Sequence, residues 1–154
     1  MPPASAPNPY MQAALAQARL AVQAGEVPVG AVIVDSAGTI IAATHNLVES
    51  TCDPTAHAEL LAIRSACEFL KSPRILECDL YVTLEPCAMC AQAIAHARIR
   101  RVYYGAPDAK GGGVEHGARI FSQPTCHHKP DVYGGIAEAE AALLLKNFFQ
   151  NLRN

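Results

Sequence analysis

Leu80-Tyr81-Val82-Thr83-Leu84-Glu85-Pro86-Cys87-Ala88-Met89-Cys90 joins a strand directly to a helix that begins with two cysteines. Leu80 to Leu84 is apolar and contains a β-branched pair, as a strand requires. Pro86 suits a helix start, where its missing N–H has no intrahelical partner to lose. The helix it opens is predicted to run to about Ala97, and Val102 to Gly105 follows as another strand. Two strands separated by a helix are expected to pair in parallel.

Upstream, Asn8-Pro9 has the character of an N-cap with proline in the first turn, and Met11, Leu15, Ala18 and Val22 recur at helical spacing up to Gly25. Val29 to Val34 is continuously apolar, which points to a strand buried on both faces. Asp35-Ser36-Ala37-Gly38 is a turn, so Thr39 to Thr44 is expected to complete a hairpin. A loop through Asn46 and Cys52 leads to a helix predicted to start at Asp53-Pro54-Thr55, with Leu60, Ile63, Cys67 and Leu70 on its inner face.

Downstream, Ala106 to Pro130 is long, glycine-rich and irregular, a pattern associated with functional loops. Asp131 to Tyr133 is a short fifth strand. A last helix is predicted from about Ala137 to Asn151, with Glu138 and Glu140 near its start and Lys146 nearer its end, as the helix dipole favours. The sum is an α/β protein with a mixed sheet of about five strands: residues 1–9 form a flexible tail and residues 10–154 a single domain.

The bulk chemistry excludes several classes. Lys and Arg number 12 against 14 Asp and Glu, a formal net charge of −2, so no nucleic-acid footprint covers the whole chain and any polyanion site is a local patch. The proline-rich start lacks the basic and apolar segments of a signal peptide, and Val29 to Val34 is too short to cross a bilayer. A soluble, non-exported protein keeps its six cysteines as thiols. Cys52, Cys67 and Cys78 are expected to pack in the interior. Cys126-His127-His128 has no partner motif and is not expected to bind metal.

Cys87 and Cys90 are different. At this spacing, at a helix N-terminus, both sulfurs can face one metal ion, and the unpaired amide groups there favour the thiolate. His57, in His57-Ala58-Glu59, would add a neutral nitrogen from a second helix start. Three protein ligands leave one tetrahedral position for water, the arrangement of a catalytic zinc. Two thiolates offset the charge of the ion, so a base is needed to deprotonate the water, and Glu59 is the candidate. Residues two apart on a helix point away from each other; His57 and Glu59 can share a site only if it lies beyond the helix end.

His-x-Glu followed by Pro-Cys-x-x-Cys is also the general signature of zinc nucleobase deaminases, for which the enzymes resembled here are themselves a standard example. Asp53-Pro54-Thr55-Ala56 before His57 and Tyr81-Val82-Thr83-Leu84-Glu85 before Pro86 extend the likeness. So do Glu26-Val27-Pro28-Val29-Gly30-Ala31-Val32, His45-Asn46, Ala97-Arg98-Ile99, and Gly105 through Asp108-Ala109-Lys110. From about Met11 to Phe149 the chain resembles the bacterial tRNA adenosine deaminases of the cytidine-deaminase-like superfamily. The resemblance implies a three-layer α/β/α fold and a cytoplasmic homodimer that converts the wobble adenosine of a tRNA anticodon loop to inosine. It implies one zinc held by His57, Cys87 and Cys90, with Glu59 as proton shuttle. Asn46 matches a residue that contacts the target base, Val29 and Leu84 match pocket walls, and Asp108 and Lys110 match a loop beside the RNA.

The chain departs from that pattern at Gly111-Gly112-Gly113-Val114-Glu115-His116-Gly117 and at Thr125-Cys126-His127-His128. Both departures fall where RNA contacts are expected and leave the zinc residues untouched. Two other readings stay open. A free-base deaminase for guanine or cytosine would use the same zinc motif. A non-catalytic, zinc-stabilised RNA-binding module would leave Glu59 without a role.

Overall fold

The computed structural model describes residues 6–153. Helix α1 spans Pro9–Gln23, and the Asn8 side chain caps it by accepting from the backbone N–H of Tyr10 and Met11. Asn8 and Pro9 therefore belong to the first helix rather than to the expected tail; residues 1–5 of that tail lie outside the described residues. Strands β1 (Gly30–Val34) and β2 (Ile40–His45) form the expected hairpin, with a register irregularity between Ile33 and Val34.

The region through Asn46 and Cys52 holds a short helix, α2 (Val48–Thr51), where a loop was expected. Cys52 ends it in the left-handed conformation and is exposed, so it is not a packing residue; Cys78 is buried and Cys67 half-buried. Helix α3 spans Ala58–Leu70 and starts three residues after the predicted position. The reason is local: the Asp53 carboxylate accepts from the N–H and hydroxyl of Thr55, which closes a turn in place of a first helical turn.

Strand β3 (Asp79–Leu84) leads into α4 (Ala88–His96), and β4 (Arg101–Ala106), a 3₁₀ turn (Ile120–Ser122), β5 (Asp131–Tyr133) and α5 (Glu138–Arg153) complete the chain. The sheet order is β2-β1-β3-β4-β5. Strand β1 is antiparallel to both β2 and β3, while β3, β4 and β5 run parallel, as the intervening helix required of β3 and β4. Tyr81, Tyr103 and Tyr133 are paired in register across these three strands, with stacked rings 4.4 and 5.0 Å apart. Such an aromatic ladder penalises a register slip, which would break every contact along it.

Alternation along the strands divides the core in two. Ala31, Ile33, Leu80 and Val82 face α3 and α4. Val32, Val34 and Tyr81 face the other way, among Met11, Ala14 and Leu15 of α1 and Ala141 of α5. The result is the three-layer α/β/α arrangement. The inner face of α3 corrects the sequence expectation: Ala58, Glu59, Ala62 and Ala66 are its buried residues, Ile63 and Cys67 are only partly covered, and Leu70 is 41% exposed. Small side chains let the helix lie close to the sheet, which pushes the larger ones to its flank. In α4, Ala91 and Ala95 likewise turn into the chain's own core, while Ala93 remains half-buried.

Candidate active site

The first turns of α3 and α4 meet. His57 is the N-cap of α3 and Cys87 the N-cap of α4, both in extended conformation. Neither side chain bonds to its own helix, so each is free to point beyond the helix end. The spacing problem of His57 and Glu59 disappears for the same reason: only Glu59 is helical. Pro86 stands one residue before the N-cap, not inside the helix.

His57 Nδ1 lies 3.6 Å from Cys87 Sγ and 3.5 Å from Cys90 Sγ. One donor atom from each of these three residues lies within 4.8 Å of the others, and among the described residues this is the one cluster of its kind. Cys126-His127-His128 forms no such cluster. There the Cys126 thiol donates to the His128 carbonyl, and His128 Nε2 sits 2.6 Å from the Ile99 carbonyl.

Two sulfurs and an imidazole nitrogen converging at two helix N-termini suit zinc in both donor type and number. Charge balance agrees. The adjacent Cys90 thiol, opposed by burial and aided by His57, holds the Cys87 thiol far below its ordinary pKa. The same contact and burial push Cys90 up. A dication held by both sulfurs would favour their thiolate forms.

Glu59 is 4% exposed and lies beside this cluster. Burial pushes its carboxyl up to about 7. A carboxyl in that range can both take and return a proton near neutral pH.

His57, Glu59 and Cys87 form one wall of a cavity of about 370 Å³. Val29, Asn46, Leu84 and Asp108, all named from the sequence, line it as well. Cys90 is buried and, like Lys110, is not among the lining residues. The Asn46 amide is held by its neighbours: Oδ1 accepts from the Val48 N–H at 3.1 Å and Nδ2 donates to the Val27 carbonyl at 3.5 Å. Asp108 Oδ1 accepts from the N–H of Lys110 and Gly111, so this carboxylate shapes its own turn.

Two buried acids were missed as site components, although both stand in sequence strings noted above. The Glu26 carboxylate accepts from the N–H of Glu49 at 3.0 Å and of Ser50 at 2.7 Å, which fixes α2 as the cavity rim. Burial works to raise its pKa, but the bonds from Ser50 and Glu49 outweigh that and hold it below the carboxylate range. Glu85 is similar: burial is opposed by bonds from the Asp108 N–H and from His116, with a net lowering. The available signal was an acid next to an apolar run, where an unpaired carboxylate is too costly to bury.

The cytidine and deoxycytidylate deaminase zinc-binding region matches residues 5–106 of this chain. The tRNA-specific adenosine deaminase of Agrobacterium fabrum is 57% identical over 144 residues, covering 94% of each chain. The chain belongs to the tRNA-specific adenosine deaminase family. A solved structure from studies of A-to-I editing by tRNA:A34 deaminases at the wobble position superposes with a TM-score of 0.86 at 58% identity, covering 88% of this chain and 98% of that one. Guanine deaminase of Bacillus subtilis is more distant, with a TM-score of 0.61 at 34% identity, covering 94% of this chain and 92% of that one. As a member of the tRNA-specific adenosine deaminase family the chain is a zinc-dependent hydrolase, and the convergent His57, Cys87 and Cys90 fit that metal.

Proposed function

We propose that this enzyme deaminates the wobble adenosine of a tRNA anticodon loop to inosine, with His57, Cys87 and Cys90 as zinc ligands and Glu59 as proton shuttle. The observation that carries the reading is the cavity wall itself, where a buried carboxyl stands beside three convergent metal donors in a chain 57% identical to a tRNA-specific adenosine deaminase. Zinc, when bound, supplies a Lewis acid that activates water for attack. Glu59 accepts a proton from the attacking water, passes it to the purine ring nitrogen beside the reacting carbon, and assists departure of ammonia. Water and adenosine thereby give inosine and ammonia.

The walls then account for the base. Val29 and Leu84 hold its two faces, and the immobilised Asn46 amide offers a donor and an acceptor to its edge. An anticodon loop presents unstacked bases, so extruding one costs less than in a duplex. Asp108 and Lys110 belong to the loop proposed to lie along the flanking nucleotides. The candidate cations for phosphates are Arg98, Arg100, Arg101, Lys110, Lys129 and Arg153; of these, Arg100 is already bound by Asp79 through two bonds of 3.0 Å, and Arg101 approaches the same carboxylate at 3.9 Å. Lys110, Lys129 and Arg153 remain, with Arg98, whose Nη1 donates to the Ala95 carbonyl at 3.0 Å.

An inosine assay on an adenosine-containing stem-loop, with free adenine, guanine and cytosine as controls, tests the substrate. Turnover is expected on the stem-loop alone, and about four phosphate contacts give a log–log salt slope of roughly −3. Turnover of a free base with none on the stem-loop would replace this reading with that of a nucleobase deaminase, the activity named for the Bacillus subtilis relative.

The homodimer is proposed on the flank of α3 and α4. Leu60, Ile63, Pro73 and Ala93 line a shallow groove there, and Phe69 is 66% exposed on α3. Light scattering at micromolar protein is expected to return twice the chain mass; a monomer mass removes the proposal. The chain from Asn8 onward is taken as the single deaminase domain, acting in the cytoplasm with its tRNA. No helix among the described residues is long and apolar enough to cross a membrane.

A further inference from the structure

Glu85 directly follows β3 and stands two residues before Cys87; it borders the cavity, yet its side chain is fully buried. Its carboxylate is instead wrapped by the loop that follows β4. One oxygen, Oε1, accepts from the Asp108 N–H at 3.0 Å and lies 2.7 Å from His116 Nδ1. The other, Oε2, accepts from three successive N–H groups, of Val114 at 3.2 Å, Glu115 at 3.0 Å and His116 at 3.1 Å. Consecutive amides converging on one oxygen form an anion-binding concavity, and here the anion comes from the chain itself.

The loop also grips the residue between Glu85 and Cys87. The Gly113 N–H donates to the Pro86 carbonyl at 2.8 Å. A Cβ at Gly112 would meet Glu85 Oε2 and the Asp108 carbonyl at 2.5 Å, and one at Gly113 would meet the Ala88 amide nitrogen at 2.4 Å. Two glycines are therefore required for the loop to lie this close to the first turn of α4. They and His116 fall in Gly111 to Gly117, the stretch where this chain departs from the familiar pattern. Asp108 and Gly111, held at one end of the loop, are cavity-lining residues.

We propose that Glu85 is a positioning residue for the reaction, holding the Asp108–Gly117 loop as a wall of the base pocket through its hydrogen bond with His116. Glu85 ties that wall to the Cys87 segment, so the pocket mouth and the metal site keep a fixed separation. His116 is the variable half of the pair: its side chain is 38% exposed, so replacing it leaves the core packing intact.

The substrate arm of the test rests on the function proposed above; an exchange arm does not. In zinc-loaded protein, His116→Ala is expected to raise KM for the adenosine stem-loop about tenfold, the size of one lost hydrogen bond to a charged group, with kcat and zinc content changed less than about twofold. His116→Asn, whose side-chain N–H₂ can occupy the place of Nδ1, recovers most of that loss. Amide exchange at Val114, Glu115 and His116 rises in the alanine variant and falls back in the asparagine variant. Glu85→Gln, which turns an amide N–H₂ toward converging donors, gives a larger effect in the same direction; if it fails to fold, the His116 pair still decides. An unchanged KM for His116→Ala, or a loss of kcat and zinc that asparagine does not recover, overturns the proposal. If wild-type enzyme leaves the stem-loop untouched, the substrate reading fails instead, and the loop is judged on exchange alone: unchanged protection in His116→Ala overturns it and raised exchange supports it.

Discussion

Cys87→Ala is expected to yield a protein without zinc, without turnover and with a markedly lower melting temperature. Cys87 caps α4 and is one of the two thiols that converge with His57. Removing it leaves His57 and the buried Cys90, a pair with too few donors and too little charge for tight binding. The loss of stability follows from linkage. A metal present at about a thousandfold excess over its dissociation constant stabilises the folded state by about 4 kcal/mol. For a domain of this size that corresponds to roughly 10 °C in Tm. The effect is asymmetric in a checkable way: a chelator lowers the Tm of the wild-type enzyme toward that of the variant and leaves the variant unmoved. Metal analysis alongside calorimetry settles the matter, and a variant that retained full zinc would remove Cys87 from the ligand set.

The metal cluster was legible before any coordinates because ligand chemistry is written in residue type and short spacing. Cys87-x-x-Cys90 after a strand, and His57 before a helix, need only local geometry to be useful. The sheet was legible for a similar reason, since β1 and β3 are runs of apolar residues and the helix between β3 and β4 forces them parallel. Helix starts were less so. Proline and Asp-Pro-Thr signal a helix nearby, but the side chain of Asp53 closes a turn of its own and delays α3 to Ala58. The buried face of α3 runs against the expectation from side-chain size, because alanines permit the closest approach to the sheet. Least legible were Glu26 and Glu85. Their bonds reach 23 to 31 residues along the chain, to backbone amides that any sequence supplies. No pattern of residue types marks such a contact; only the cost of burying a carboxylate hints that partners must exist.

Glu59→Gln is expected to keep the fold and the zinc and to lose turnover by about 10²–10⁴-fold, the usual contribution of a general acid–base group. Glutamine fills the same buried volume at the start of α3, so packing against the sheet is preserved. It is not one of the three donors that converge, so metal content is expected to match the wild type. What it lacks is a site for a proton near neutral pH, the property that burial gives Glu59 by raising its carboxyl to about 7. The deficit therefore falls on kcat, with KM for the stem-loop nearly unchanged, because the cavity-lining residues Val29, Asn46 and Leu84, proposed to hold the base, are untouched. This split separates the roles of the two carboxylates proposed here. Loss of Glu59 slows the chemical step, whereas disturbing the Glu85–His116 pair weakens binding. Single-turnover rates on zinc-loaded Glu59→Gln test the first half directly. A rate within about an order of magnitude of wild type, less than a general acid–base group ordinarily supplies, would deny Glu59 the shuttle role. Zinc loss in parallel with turnover would instead make it a structural support for the metal.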